Sequence, residues 1–331
     1  MDFILDLLRS MPGAVAQGLI WGIMAIGVYI TYKILDIADL TVDGSICTGA
    51  CVCTILATNG VNIWIAVLLA TIAGMLTGFV TGFFHTVLGI PAILSGILTQ
   101  LMLWSVNLKI LGRANLALNA RNIKVIVTQL DKNKAVMALI GFVAVVIILL
   151  YLFFGTEMGC SLRSTGCNTN MSHAQGINTN ANKILGLVLS NGLVALSGAL
   201  LAQYQGFADI NMGRGAIVIG LAAVIIGEAL CSHISINFGV RLAGVAAGGV
   251  IYYVVYQIVV ALGLDPDLLK MLSAAVVTVF ISVPYVKGKY FSYTNQFKTE
   301  RKMRKIQAAS AKKEARMAKK KAKSADKGEN K

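Results

Sequence analysis

At 331 residues, with 56% hydrophobic and only 13% charged side chains, the chain departs from a soluble composition, which carries about 25% charge. Its apolar residues form repeated runs long enough to cross a hydrocarbon core of about 30 Å, so the expected fold is an all-α, polytopic transmembrane helix bundle. The net charge of +14 sits mainly at one end, where residues 287–331 hold 16 of the 29 Lys and Arg and four of the 15 acids; no aromatics stand in its Lys-rich part to stack bases, which argues against nucleic acid.

The opening "MDFILDLLRSMPG" is acidic and lacks both the charged n-region and the small-residue cleavage site of a signal peptide, so it reads as an amphipathic lead-in. Apolar periodicity then predicts about nine spans, near 14–35, 43–59, 62–86, 91–111, 135–154, 183–204, 213–232, 239–262 and 267–286. The second is short and rich in Gly, Thr and Cys, as a broken or re-entrant segment would be. Such backbone is tolerated at membrane depth only where protein or a water-filled cavity covers it. Asp36, Asp39 and Asp43 lie where the first span passes into the second, and Asp39 and Asp43 suit capping of the helix start that follows. The cysteines of "CTGACVC" (Cys47, Cys51, Cys53) invite a metal reading, but no His or second Cys pair has matching spacing, so packing is expected and no metal site is assigned.

In the third span Gly74, Gly78 and Gly82 recur every fourth residue and lay a flat strip along one helix face; Gly18 with Gly22, and Gly244 with Gly248, repeat the device. Lipid gives helices no hydrophobic reason to associate, so close backbone approach through small residues must supply the packing. The segment 106–134 carries Lys109, Arg113, Arg121, Lys124, Lys132 and Lys134 against Asp131 alone. The larger basic block, 287–331, is expected in the cytoplasm, touching anionic lipid. Counting back from it places 155–182 inside and 106–134, 205–212 and the N-terminus outside.

Chemistry-bearing groups are few. His85, His173 and His233 are scattered, and the sequence has no catalytic arrangement and no Gly-x-x-x-x-Gly-Lys-Ser/Thr loop for nucleotide phosphates. No catalytic residues and no cofactor are assigned to this chain; any ATP it uses is bound by another. Glu228, in "VIIGEAL", is an ionisable group within a span and therefore a candidate for gating, with pairing inside the bundle as the plainer reading. The run "QYQGFADINMGRG" (203–215) offers Gln203, Tyr204, Asp209 and Arg214 as linings of a vestibule, or a simple loop.

Between the fifth and sixth spans stands "LRSTGCNTNMSHAQGIN" (162–178), polar and rich in Gly and Asn. Arg163, Gly166, Asn168, Ala174 and the closing Gly176-Ile177-Asn178 fall at the spacing of a cytoplasmic loop found in the permease subunits of ABC importers, and the chain resembles the branched-chain amino acid and ribose permease superfamily. It departs at Ser164 and around Ser172 and His173, where the family carries alanines. "DLTVDGSICTGA", "GIPAILSGILTQ" and "LSGALLAQYQGFADINMGRGAIVIGLAAVIIGEAL" extend the likeness over most of 14–286, the last resembling permeases often assigned to tryptophan or tyrosine uptake. The resemblance implies a permease domain over 1–286, a coupling loop at 155–182 and a cytoplasmic tail at 287–331. It also implies a separate ATPase that binds ATP and Mg, an extracellular substrate-binding lipoprotein, a second permease copy and a bacterial plasma-membrane location with the C-terminus cytoplasmic. Arg163, Gly166, Asn168, Met171, Ala174, Gly176 and Ile177 become the coupling residues, with Met171, Ala174 and Ile177 spaced to share a face and Gly166 and Gly176 permitting the bounding turns. The alternative is a stand-alone secondary transporter or channel, which should show inverted repeats and charged residues at the midplane.

Overall fold

A peptide group in hydrocarbon has no water to bond, so each apolar run closes its own hydrogen bonds as a helix. The computed structural model describes residues 2–118, 125–231 and 237–262 and the single positions Met271, Ala274, Ala275, Thr278 and Ser282. The chain divides into two units, Met1–Phe280 and Ile281–Lys331. The basic tail and nearly all of the expected ninth span lie outside the described residues. Helix α1 (Asp2–Tyr29) runs on through a wider, π-type turn at Ile30–Ile34, followed by α2 (Val42–Thr58), α3 (Ile63–Thr86) and α4 (Ala92–Leu111). A short strand β1 (Asn115–Ala117) precedes α5 (Lys132–Phe154), α6 (Glu157–Cys167), α7 (Thr169–Ala174) and α8 (Thr179–Gln205). Strand β2 (Phe207–Asp209) pairs antiparallel with β1, and α9 (Ala216–Cys231) and α10 (Phe238–Ala261) complete the described elements.

Six described helical segments are long and apolar enough to cross a membrane, and two apolar helices, α2 and α9, are shorter. They fall where the second and seventh of the nine expected spans were drawn. At 1.5 Å per residue, 17 and 16 residues reach only about 25 Å, short of a full crossing.

The glycine strip of α3 packs on α8. A Cβ at Gly74 would meet Asn191 and Ala195, one at Gly78 would overlap the Leu187 carbonyl, and one at Gly82 would touch Ile184. As α3 advances the contacts move back along α8, so the two helices are antiparallel at backbone-to-backbone range. Gly18 and Gly22 of α1 bring that helix equally close to Val250 and Ala246 of α10, and Gly49 seats α2 on Ala195. Helices α1 and α8 are thereby enclosed, whereas α3, α4 and α5 turn Leu68, Leu76, Leu101, Ile148 and Leu152 outward. An apolar exterior of that extent belongs in lipid or against another protein.

The order of contacts fixes two faces. Helix α1 ends beside α6, because Gly166 packs on the Ile34 carbonyl, and α8 begins on that same near face. The β1–β2 ribbon follows the other end of α8, on the far face. Helix α2 begins level with Asn191, midway along α8, and runs to the far face; α9 begins where Gly220 meets Met24 and Val28, midway along α1, and runs to the near face, where Glu228 reaches Lys33. The two short helices therefore start at the midplane and leave it in opposite directions. Gly78→Leu should lower the thermal stability of the detergent-purified protein by several degrees, since overpacking costs about 1–3 kcal/mol. Gly141→Leu, at a position with open space around it, should leave the melting temperature unchanged.

Candidate functional site

Two regions gather polar groups: a midplane seam with a cavity beside it, and a bracket on the near face. The seam starts at Asp39, which is almost fully buried. Its Oδ1 accepts from the Thr41 backbone N–H at 2.9 Å and its Oδ2 accepts from Asn191 Nδ2 at 2.7 Å. Asn191 Oδ1 in turn accepts from Ser45 at 2.6 Å, Ser45 and Thr77 share a 2.7 Å hydroxyl contact, and Thr41 and Thr81 share another of 2.7 Å. Thr77 and Thr81 donate to carbonyls of their own helix when they do not donate across. The chain of bonds ties α2, α3 and α8 together at a depth where a lone polar group would be costly.

Asp43 does something else. Instead of capping its own helix it reaches α9: Oδ2 accepts from Gly215 N and Oδ1 from Ile217 N, each at 2.9 Å. The carboxylate sits on the free N–H groups at a helix start, where the helix dipole also favours negative charge. Cys47 supports the same junction, accepting from Gly213 N at 3.1 Å and donating to Ile210 O at 3.4 Å. Beside it opens a cavity of about 230 Å³, whose lining includes Asp43, Cys47, Gln100, Trp104, Asn107 and Arg214. Asn107 is buried and donates through Nδ2 to Gly44 O at 3.4 Å, while its Oδ1 has no hydrogen-bond partner.

The near-face bracket is α6 and α7. Asn168, in an extended conformation, accepts from Met171 N at 3.0 Å and caps α7, and Asn178 caps α8 through Ala181 N at 3.1 Å. Ser164 and Ser172 brace α6 to α7 at 2.8 Å, and Asn182 Nδ2 donates to Ser161 and Thr165, docking α6 on α8. The Arg163 guanidinium lies 4.2 Å from the ring centre of Phe238 and 5.1 Å from that of Phe154, a cation–π clasp joining α6 to α10 and α5.

The residues expected to serve coupling thus divide. Arg163 and Gly166 face the bundle, and Gly166 lies inside α6 against α1 rather than at a bounding turn. Asn168 forms a cap, and Gly176 makes the left-handed turn after α7 with φ +81° and open space around it. Met171 and Ala174 are exposed with His173, while Ile177 lies beyond the end of α7, half-buried, so it does not extend their helical face. Of the expected vestibule residues, Gln203 is buried, accepts from Ile126 N at 3.0 Å and donates to Ala199 O; Tyr204 is buried and donates to Gly13 O at 3.4 Å. Asp209 belongs to β2 and accepts from Asn211 N, and Glu228 pairs with Lys33 at 3.1 Å. Gln203, Tyr204, Asp209 and the gating candidate Glu228 are not among the cavity-lining residues, whereas Arg214 of the same 203–215 run is. His233 lies outside the described residues.

Sequence reasoning passed over Asn191 and Asn107. A carboxamide within an otherwise apolar run, "VLSNGLV" or "WSVNLKI", is the signal that marks each.

The half-helices, the midplane seam and the bracket define a polytopic membrane protein built to move a solute. The family described as branched-chain amino acid transport system / permease component matches residues 11–281, and the chain belongs to it. It is 40% identical to the tyrosine transport system permease protein of Clostridioides difficile over 266 residues, 80% of this chain and 88% of that one. An uncharacterised protein of Rickettsia prowazekii is 36% identical over 276 residues, covering 83% and 96% of the two chains. A nucleoside ABC transporter permease of Lactococcus lactis is 37% identical over 91 residues, 27% of this chain and 29% of its own length. No solved structure matches. The chain is a multi-pass permease subunit of an ABC importer, in a class that transports rather than catalyses.

If Asp43 anchors α9, Asp43→Ala should lower stability by about 1–2 kcal/mol in a thermal melt, and Asp43→Asn, which keeps a carbonyl oxygen to accept, should recover much of that loss.

Proposed function

We propose that the chain carries a small amino acid, aromatic in preference, across the bacterial plasma membrane as one of two identical copies, driven by a separate ATPase docked on α7. The observation that carries this reading is the bracket. A six-residue helix presents Met171 and Ala174 to solvent, while the helix before it is clasped to α1, α5, α8 and α10. A protruding short helix on a rigid base suits a groove on a partner, and a base that grips several bundle helices suits transmission of the partner's movement. ATP and Mg are bound on the ATPase, and the loading of solute falls to an extracellular binding lipoprotein. In this reading the near face is cytoplasmic and the β1–β2 ribbon faces the binding protein; the basic tail, expected in the cytoplasm against anionic lipid, lies outside the described residues.

The name of the Clostridioides relative supports an aromatic amino acid as the solute. The outward apolar faces of α3, α4 and α5 offer area for the second copy as well as for lipid.

The roles within the bracket separate experimentally. Met171→Asp, at an exposed position, should abolish co-purification of the ATPase while leaving the permease melting temperature within about a degree; retained ATPase would sink the docking role. Arg163→Ala should keep the ATPase bound yet reduce solute moved per ATP hydrolysed in proteoliposomes by about tenfold, and Arg163→Lys, which keeps charge but loses the planar stack, should fall between.

A further inference from the structure

The midplane cavity holds two opposite charges that do not meet each other. Asp43 and Arg214 both line it, and neither has an ion-pair partner among the described residues. Each Asp43 oxygen accepts one backbone N–H, at Gly215 and Ile217, which leaves lone pairs for a further donor. Arg214 is exposed and presents its fork of N–H donors. Trp104 and Asn107 line it as well. A separated carboxylate and guanidinium with an indole beside them complement a zwitterion with an apolar or aromatic body.

We propose that this cavity is a transient station for the free α-amino acid during transit, the solute carboxylate bonding Arg214, its ammonium bonding Asp43 and its ring lying against Trp104. The inference rests on the amino-acid reading above and adds a site to it. At about 230 Å³ the space is on the scale of a single small solute rather than a peptide. The charge pair also separates two solute classes named among the relatives. A nucleoside carries no ionised groups at neutral pH and would offer neither Asp43 nor Arg214 a partner of opposite charge.

The test uses the permease–ATPase complex in nanodiscs, without binding protein, and equilibrium binding of radiolabelled L-tyrosine. Saturable binding is expected, weakened about tenfold in Arg214→Gln, a change at an exposed position. Tyramine, which lacks the carboxylate, should bind weakly and equally to both proteins, and uridine should not compete. Equal L-tyrosine affinity in wild type and Arg214→Gln, or competition by uridine, overturns the station. Uptake by the whole importer with its binding protein distinguishes the two levels. If wild type takes up L-tyrosine but shows no saturable site, only the station falls; if the importer moves no L-tyrosine, the amino-acid reading falls with it.

Discussion

A helix that begins in the middle of a bilayer leaves its first N–H groups with no water to bond, and this bundle has two such helices. Asp43 meets that constraint for α9 by lending its carboxylate across a sequence distance of 172 residues. Its own helix, α2, is started by the Asp39 turn at Thr41, and Asp39 is held by Asn191 of α8. The two junctions are one structure, because Asp43 stands within the first turn of the helix that Asp39 begins. Remove the bridge and the Gly215 and Ile217 N–H groups would lose their charged acceptor, a loss on the scale of about 1–2 kcal/mol for a helix cap. The short helices, the seam and the cavity beside them all follow from how those N-termini are satisfied.

The surrounding bundle is arranged to let this happen. Backbone polar groups can lie at the midplane only if protein covers them, and coverage there requires helices at very short separation. Glycine supplies it: Gly74 and Gly78 bring α3 onto α8 beside the seam, and Gly49 does the same for α2. Thr41, Ser45, Thr77 and Thr81 fit into the space that these small residues leave, so small size and hydrogen-bonding capacity act together. The packing therefore stabilises the bundle and shields its polar centre at once.

Much of this was legible in the sequence, and the part that was not has a common cause. The apolar runs predicted α2 to α5 and α8 to α10 to within a few residues, whereas α1 starts at Asp2, twelve residues before the expected span, and α6 and α7 lie in the polar stretch between runs. The second segment, expected to be broken or re-entrant, is one short unbroken helix. The glycine strip of α3 was visible by its spacing, but nothing local says that α8 is its partner. Asp43 looked like a cap for the helix that contains it, because capping rules are local, whereas its acceptor role reaches α9 through the fold. Gln203 and Tyr204 looked like a vestibule because polar residues near a span end usually face water; here Ile126 and Gly13 supply the partners, and both come from distant segments. Local patterns report element type; which polar group meets which is decided by packing.

Helix α9 links the midplane to the near face, and its two ends are held unequally. At the cavity end a carboxylate accepts two charge-assisted backbone N–H bonds, each at 2.9 Å. At the other end Glu228 meets Lys33 with side chains about one-third and one-half exposed, a pair of the kind that contributes about 0–1 kcal/mol. Lys33 belongs to the π-type turn of α1, and the next residue, Ile34, is the one on which Gly166 of the bracket rests. A displacement of α6 would therefore bear on α9 through Ile34 and Lys33 of α1 and, through the Arg163 clasp, on α10, which packs backbone to backbone against α9 at Gly227 and Gly244. The near-face end of α9 is thus held by close packing on α10 as well as by the exposed ion pair, so α9 and α10 are joined as one unit beside the bracket.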